Sequence, residues 1–129
     1  VTADPAPLRA SIDLPSAAPS VPAARRIVRE LLTGWSAEAF CDDTLLLLSE
    51  LVSNVVRHVP DPEAMRVELA LTGRVLEVAV LDGSAAPVTP RAGSGRGGHG
   101  LQLVSALSDR WGSHEHVEGK RVWFELRRV

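Results

Sequence analysis

Leu45-Leu46-Leu47-Leu48-Ser49-Glu50-Leu51-Val52-Ser53-Asn54-Val55-Val56-Arg57-His58 is the stretch on which the fold turns. Its length and apolar content read as a helix packed inside a protein. Glu50, Asn54 and His58 interrupt the apolar run at i, i+4 and i+8, which places them in one stripe along one helix face. A carboxylate and an amide among leucines and valines cost free energy unless they find partners. The stripe therefore marks a place where something polar binds or where another polar element packs.

Upstream, Ser36 reads as the cap of a helix over 38–58, and Pro60 and Pro62 close it. Thr33-Gly34 ends an earlier helix over 23–32, whose apolar face carries Ile27, Val28, Leu31 and Leu32. Arg25, Arg26 and Arg29 fall largely on its other faces, which reads as a solvated surface or, more pointedly, a surface for docking a partner. Residues 1–22 are rich in Pro and Ala and read in part as an exposed arm. Within that arm Leu8, Ala10, Ile12 and Leu14 alternate with polar residues as a strand does.

Downstream, Met65, Val67, Leu69 and Leu71 alternate with Arg66, Glu68, Ala70 and Thr72, and Leu76, Val78 and Val80 alternate with Val75, Glu77 and Ala79. Two half-buried antiparallel strands joined by a turn at Thr72-Gly73-Arg74 follow. Parity puts Asp82 on the same face as Leu76, Val78 and Val80, so a carboxylate points toward the helices and demands a partner. Residues 83–100, with Pro87, Pro90 and glycines at 93, 95, 97, 98 and 100, read as a loop. It runs into a short helix over 101–107. A Gly-rich loop entering a helix N-terminus is a physical anion site, because bare backbone N–H groups and the helix dipole face the ligand. The chain closes on a hairpin, 111–116 and 121–127, turned at Glu118-Gly119-Lys120, with Val122, Phe124 and Leu126 on one face and Trp123 and Glu125 on the other.

The chain has 129 residues, 45% hydrophobic and 23% charged, with a net charge of −2. One globular domain is expected. The charge gives no support for a nucleic-acid or membrane-surface partner. No apolar run approaches the roughly 18 residues of a membrane span, and no signal-peptide pattern opens the chain. The single cysteine, Cys41, cannot form an internal disulfide and suits a reducing cytoplasm. No catalytic partner for it is identifiable, so it reads as a helix-start residue. His114 and His116 alternate on a strand, but without further ligands they read as solvent-facing rather than as a metal pair. The first residue is Val1 rather than Met, as expected of a processed or excised piece.

A nucleotide satisfies all three polar features at once. A carboxylate at Asp82 accepts from an adenine amino group, and loop amides hold phosphates. The Asn54 amide oxygen can ligate Mg²⁺, a hard cation that prefers oxygen. A Glu one helical turn away polarises the attacking hydroxyl or water.

In their order and spacing, Glu50-x-x-x-Asn54, Asp82 and Gly98-x-Gly100-Leu101 resemble the N box and the two Gly boxes of the GHKL ATP-binding superfamily, the group of gyrase and the histidine kinases. Residues 49–58, together with Gly119-Lys120-Arg121-Val122-Trp123-Phe124, are most similar to one branch, the bacterial anti-sigma-factor serine kinases. The resemblance covers about residues 8–127. It implies an α/β two-layer sandwich with a mixed, mainly antiparallel sheet and helices on one face. It implies ATP and Mg²⁺ as ligands, with Glu50 as general base, Asn54 on Mg²⁺ and Asp82 on the adenine. Residues 83–99 become an ATP lid. Arg57, His58, Ser84, Gly95, Gly97, Gly98, His99, Gly100 and Leu101 complete the nucleotide contacts. A sigma factor and an anti-anti-sigma protein are the implied partners, and a homodimer is compatible with the family. Two departures stand out. The first Gly box, usually Asp-x-Gly-x-Gly, is here Asp82-Gly83-Ser84-Ala85-Ala86, and Arg121 is expected where the last strand often carries Thr or Ser near the nucleotide. The alternative is a regulatory module of the same fold that binds nucleotide or protein and transfers nothing. A histidine-kinase catalytic domain fits less well, since no dimerisation helices precede it in this sequence.

Overall fold

The central helix forms where the leucine run predicts it. The computed structural model describes residues 6–58, 64–83, 99–116 and 119–128. In it α2 spans Cys41–His58 and buries Thr44, Leu45, Leu47, Leu48, Leu51, Val52 and Val55. That set recurs at three- and four-residue steps, giving one broad apolar stripe. Asp42 and Asp43 lie in the first turn and Arg57 and His58 in the last, the arrangement that complements the helix dipole.

The entry to α2 differs from the expectation. Helix α1 runs Ser20–Gly34, longer than the 23–32 read from the sequence. Ser36 closes α1 rather than capping α2. It sits in the left-handed region at φ 56°, its N–H donates to Thr33 O at 3.1 Å, and Ala37 N–H donates to Leu32 O at 2.7 Å. This is the paired hydrogen-bond pattern that satisfies the last carbonyls of a helix. Gly34 comes two residues too early for that position. The chain then makes a 3-10 turn over Glu38–Phe40, which starts without a side-chain cap and buries Phe40, and runs directly into α2.

The strands are β1 (Leu8–Pro15), β2 (Ala64–Thr72), β3 (Val75–Asp82), β4 (Arg110–His116) and β5 (Gly119–Arg127), with α3 over His99–Leu107. They form one five-stranded sheet in the order β1-β2-β3-β5-β4, and its ladders are all antiparallel. The two-layer sandwich with helices on one face is thus realised. The β2–β3 hairpin closes on the pair Thr72↔Val75, and Gly73 at φ 61° supplies the left-handed residue of its two-residue loop. The last hairpin pairs His116 with Gly119, so Gly119 and Lys120, expected in the turn, already belong to β5, and residues 117–118 lie outside the described residues.

Side-chain alternation divides the sheet into two faces. Met65, Val67, Leu69, Leu76, Val78, Val80, Val122, Phe124 and Leu126 meet Ala24, Val28, Leu32 and the buried side of α2 in one core. The opposite face is polar. There Trp123 lies across Gly112, where an added Cβ would come 2.9 Å from the indole. His114 stacks on the same ring with centroids 6.3 Å apart, and the Arg110 guanidinium sits 5.8 Å from its centroid. Glycine in this strand thus makes room for an aromatic on the next strand.

Asp13 and Arg66, opposite each other on β1 and β2, form an exposed pair at 2.8 Å. The hydrogen bond from Arg66 holds the Asp13 carboxyl below its ordinary value of 3.8. A depressed carboxyl contributes stability above the ordinary value and loses that contribution as pH falls through the folded one. Asp13→Asn is therefore expected to lower the melting temperature slightly near neutrality. The two melting curves should converge at the acid end of a pH series.

Candidate nucleotide site

The stripe read from the sequence lies along α2. Glu50 and Asn54 are half-buried, and Arg57 and His58 are exposed at the helix end. The pair is thus at the border of the core rather than deep within it. Arg57 Nη2 donates to Asn54 Oδ1 at 3.0 Å, so the expected metal-ligating oxygen is held by a cation one turn along the same helix. The adjacent face of α2 is tied to α1. Arg25 Nη1 donates to Leu45 O at 3.0 Å and to Ser49 Oγ at 2.6 Å, and Ser49 Oγ donates to Leu45 O at 2.7 Å. Arg25, half-buried, thus fastens the helix that carries the stripe, while Arg26 and Arg29 are exposed as expected. Arg25→Met keeps most of the packing and removes both bonds. It should cost about 1–2 kcal/mol, read as a lower urea midpoint.

Asp82 is the last residue of β3 and is 7% exposed, on the helix side with Val78 and Val80 as parity predicts. Helix α2 packs on β3, which carries Asp82, and on α3. α3 opens at His99, Gly100 and Leu101, so the end of the expected loop is helical from His99 onward. Ser84, Gly95, Gly97, Gly98 and most of the expected lid, 83–99, lie outside the described residues.

The register corrects one assignment. Asp82 pairs with Lys120, and Leu81 with Arg121. Residues directly opposite in an antiparallel ladder share a face. Lys120 is therefore the residue of the last strand on the Asp82 side, and Arg121 projects from the polar face. There its Nη2 meets Glu77 Oε1 at 2.6 Å and its Nε lies 3.9 Å from Glu68. Arg121, expected at about the last-strand position where the family often carries Thr or Ser, thus lies one residue off the Asp82 face, and one residue in a strand reverses the face. Neither Asp82 nor Lys120 is without a partner.

Gly119 locks this end of the ladder. Its φ is 145°, and an added Cβ would lie 1.8 Å from Asp82 O and 2.8 Å from Gly83 Cα. Only a residue without Cβ lets β5 start against the end of β3.

The donor set fits a magnesium nucleotide. Asn54 offers a hard oxygen ligand one turn from the Glu50 carboxylate, and Mg²⁺ is commonly held by one or two protein oxygens together with phosphates and water. No group of three or more His, Cys, Asp or Glu side chains able to hold a metal by itself exists among the described residues, and a shared site of this kind needs none.

The family model for the histidine kinase-like ATPase domain matches residues 14–126. The chain belongs to the histidine kinase-like ATPase domain family, with the GHKL fold. Among solved structures it is similar to the RsbU and RsbW domains of Rv1364c from Mycobacterium tuberculosis, with a TM-score of 0.73 and 21% identity over 93% of this chain. The match covers 32% of that longer chain, and at this identity the likeness concerns the fold. No curated protein matches the sequence.

Proposed function

We propose that this domain is an ATP-binding serine/threonine protein kinase of the anti-sigma-factor type. It would pass the γ-phosphoryl group of ATP to a serine of a small anti-anti-sigma protein, and would bind a sigma factor when free of that partner. The observation that carries the reading is the pairing of the Glu50–Asn54 stripe on α2 with Asp82, buried at the end of β3 against which α2 packs. The likeness in fold to a chain with a domain named RsbW is in keeping with it.

In this reading Asp82 accepts from the exocyclic amino group of the base. Asn54 Oδ1 takes the metal once Arg57 has released it. Bound Mg²⁺ would neutralise charge building on the phosphates, which together with positioning is most of what phosphoryl transfer requires. Glu50, one turn from Asn54, takes the proton of the incoming serine hydroxyl. His58 and Arg57 stand at the phosphate end of the stripe. Ser84, Gly95, Gly97, Gly98, His99, Gly100 and Leu101 belong to the lid and phosphate loop. A cytoplasmic setting and homodimeric assembly go with the same reading. No described helix is long and apolar enough to cross a membrane.

One observation favours a second reading, a module that binds nucleotide or partner without transfer. Ser84-Ala85-Ala86 replace the glycines that usually follow the adenine-binding Asp. Incubation with γ-labelled ATP, Mg²⁺ and a purified anti-anti-sigma protein separates the two. Label on a partner serine, lost in Glu50→Gln, is the expected result. ATP binding without labelling of any such partner would reject the kinase reading in favour of the binding module.

A further inference from the structure

The side-chain oxygen of Asn54 is held by a cation from its own helix, since Arg57 Nη2 donates to Asn54 Oδ1 at 3.0 Å. The other terminal atom of the amide is an NH2 group, a donor with nothing to offer a metal ion. A metal ion that takes Oδ1 therefore either displaces the guanidinium or shares the oxygen with it, and two cations on one oxygen repel each other. Arg57 lies in the last turn of α2, where the helix dipole favours positive charge, and residues three apart on a helix are neighbours. It is exposed, whereas Asn54 is half-buried, so its head can exchange one partner for another without leaving water. Among the described residues no carboxylate pairs with it.

We propose that Arg57 makes the metal site conditional on the nucleotide: it closes Asn54 to a free divalent cation and yields it to one that arrives with phosphates. This rests on the nucleotide reading above. A phosphate oxygen carries charge and the Asn54 oxygen does not, and the arginine fork can take two phosphate oxygens at once, so phosphate is the stronger partner. Phosphates at the end of the stripe thus draw the guanidinium off the amide as they bring the metal to it. Without the Asn54 oxygen, Glu50 is a lone carboxylate and a poor holder of Mg²⁺, which leaves it free to take the serine proton. By linkage, the affinity that Arg57 removes from free metal reappears as cooperativity between metal and nucleotide.

The test titrates the nucleotide-free domain with Mn²⁺, a cation that also prefers oxygen ligands and whose free form is read directly by electron paramagnetic resonance. The variants are Arg57→Met, Arg57→Lys, Arg57→Met combined with Asn54→Ala, and Arg74→Met, whose side chain is exposed at the β2–β3 turn. Thermal melts show that each is folded. Arg57→Met should bind Mn²⁺ about three- to tenfold more tightly than wild type, the size expected when one exposed contact of a charged group is removed. The gain should vanish when Asn54 is also replaced. Arg57→Lys, which keeps the charge, should stay near wild type, as should Arg74→Met, which removes an equal charge elsewhere. Mn²⁺ binding in Arg57→Met no tighter than in wild type overturns the proposal, as does a gain that survives Asn54→Ala or appears equally in Arg74→Met. A parallel titration of wild type with Mg·ATP tests the reading beneath it. Absence of nucleotide binding there overturns the nucleotide site, while the Mn²⁺ series separately decides whether Arg57 closes Asn54.

Discussion

Gly119→Ala is expected to be the most damaging single substitution in the described fold. An added Cβ would lie 1.8 Å from Asp82 O and 2.8 Å from Asp82 C and Gly83 Cα. All three are main-chain atoms, so relief requires the strands themselves to part. The φ of 145° adds backbone strain that no L side chain escapes at that position. Together these should cost about 3 kcal/mol or more, against a total stability of about 5–15 kcal/mol for a domain of this kind. The loss should show as a large fall in urea midpoint. In the surviving folded population, amides at the Asp82 end of β3 and the Gly119 end of β5 should exchange fastest. Gly73→Ala is the matching control. Gly73 also has positive φ, at 61°, but nothing lies within 4 Å of its added Cβ. Only the left-handed penalty of about 1–2 kcal/mol applies there. Equal losses at the two glycines would show that the contact with β3 is not what Gly119 provides.

Phe124→Ala should come next. Phe124 is fully buried at the sheet centre, paired with Val78 on one side and Trp111 on the other. It is among the largest of the completely enclosed side chains. Truncation removes its transfer free energy and leaves a cavity that the surrounding sheet and helices can only partly collapse. The expected cost is about 3–5 kcal/mol, with an unchanged urea m-value if the denatured state is unaltered. Trp123→Ala, one residue earlier on the polar face, should cost clearly less, because that ring is half-buried and its partners His114 and Arg110 are exposed. A larger loss at Trp123 than at Phe124 would contradict the division of the sheet into a core face and an open face.

Much of this architecture was legible because two periods are strong in the chain. The three- and four-residue recurrence of Leu45, Leu48, Val52 and Val55 defines α2. The two-residue alternation of Met65 to Leu71 and of Leu76 to Val80 defines β2 and β3, and the same parity puts Asp82 on the helix side, where it is found. Turn chemistry was harder to read. Gly34 looks like a helix stop, but Ser36 takes the left-handed position, and the buried Phe40 follows in a 3-10 turn before α2 begins. Glu118-Gly119-Lys120 looks like a turn, yet Gly119 is glycine for a tight strand approach.

The misplacement of Arg121 follows from that last point. Stepping back by two from Leu126 through Phe124 and Val122 lands on Lys120, so the sequence held the signal for the face. A turn signal at 118–120 ends that alternation before it reaches Lys120. Arg25 is different in kind. Its hydrogen bonds to Leu45 O and Ser49 Oγ join residues 20 and 24 positions apart. Helical periodicity says which face an arginine occupies, not that a neighbouring helix passes within reach.

The most direct test of the site is titration of Mg·ATP into wild type, Asp82→Ala and Arg121→Ala, each confirmed folded by its melt. The two residues lie almost together in the ladder but on opposite faces of the sheet. Wild type and Arg121→Ala are expected to bind alike, and Asp82→Ala to lose affinity by about tenfold or more. Retained binding in Asp82→Ala, or an equal loss in Arg121→Ala, would contradict a nucleotide site on the helix side of the sheet.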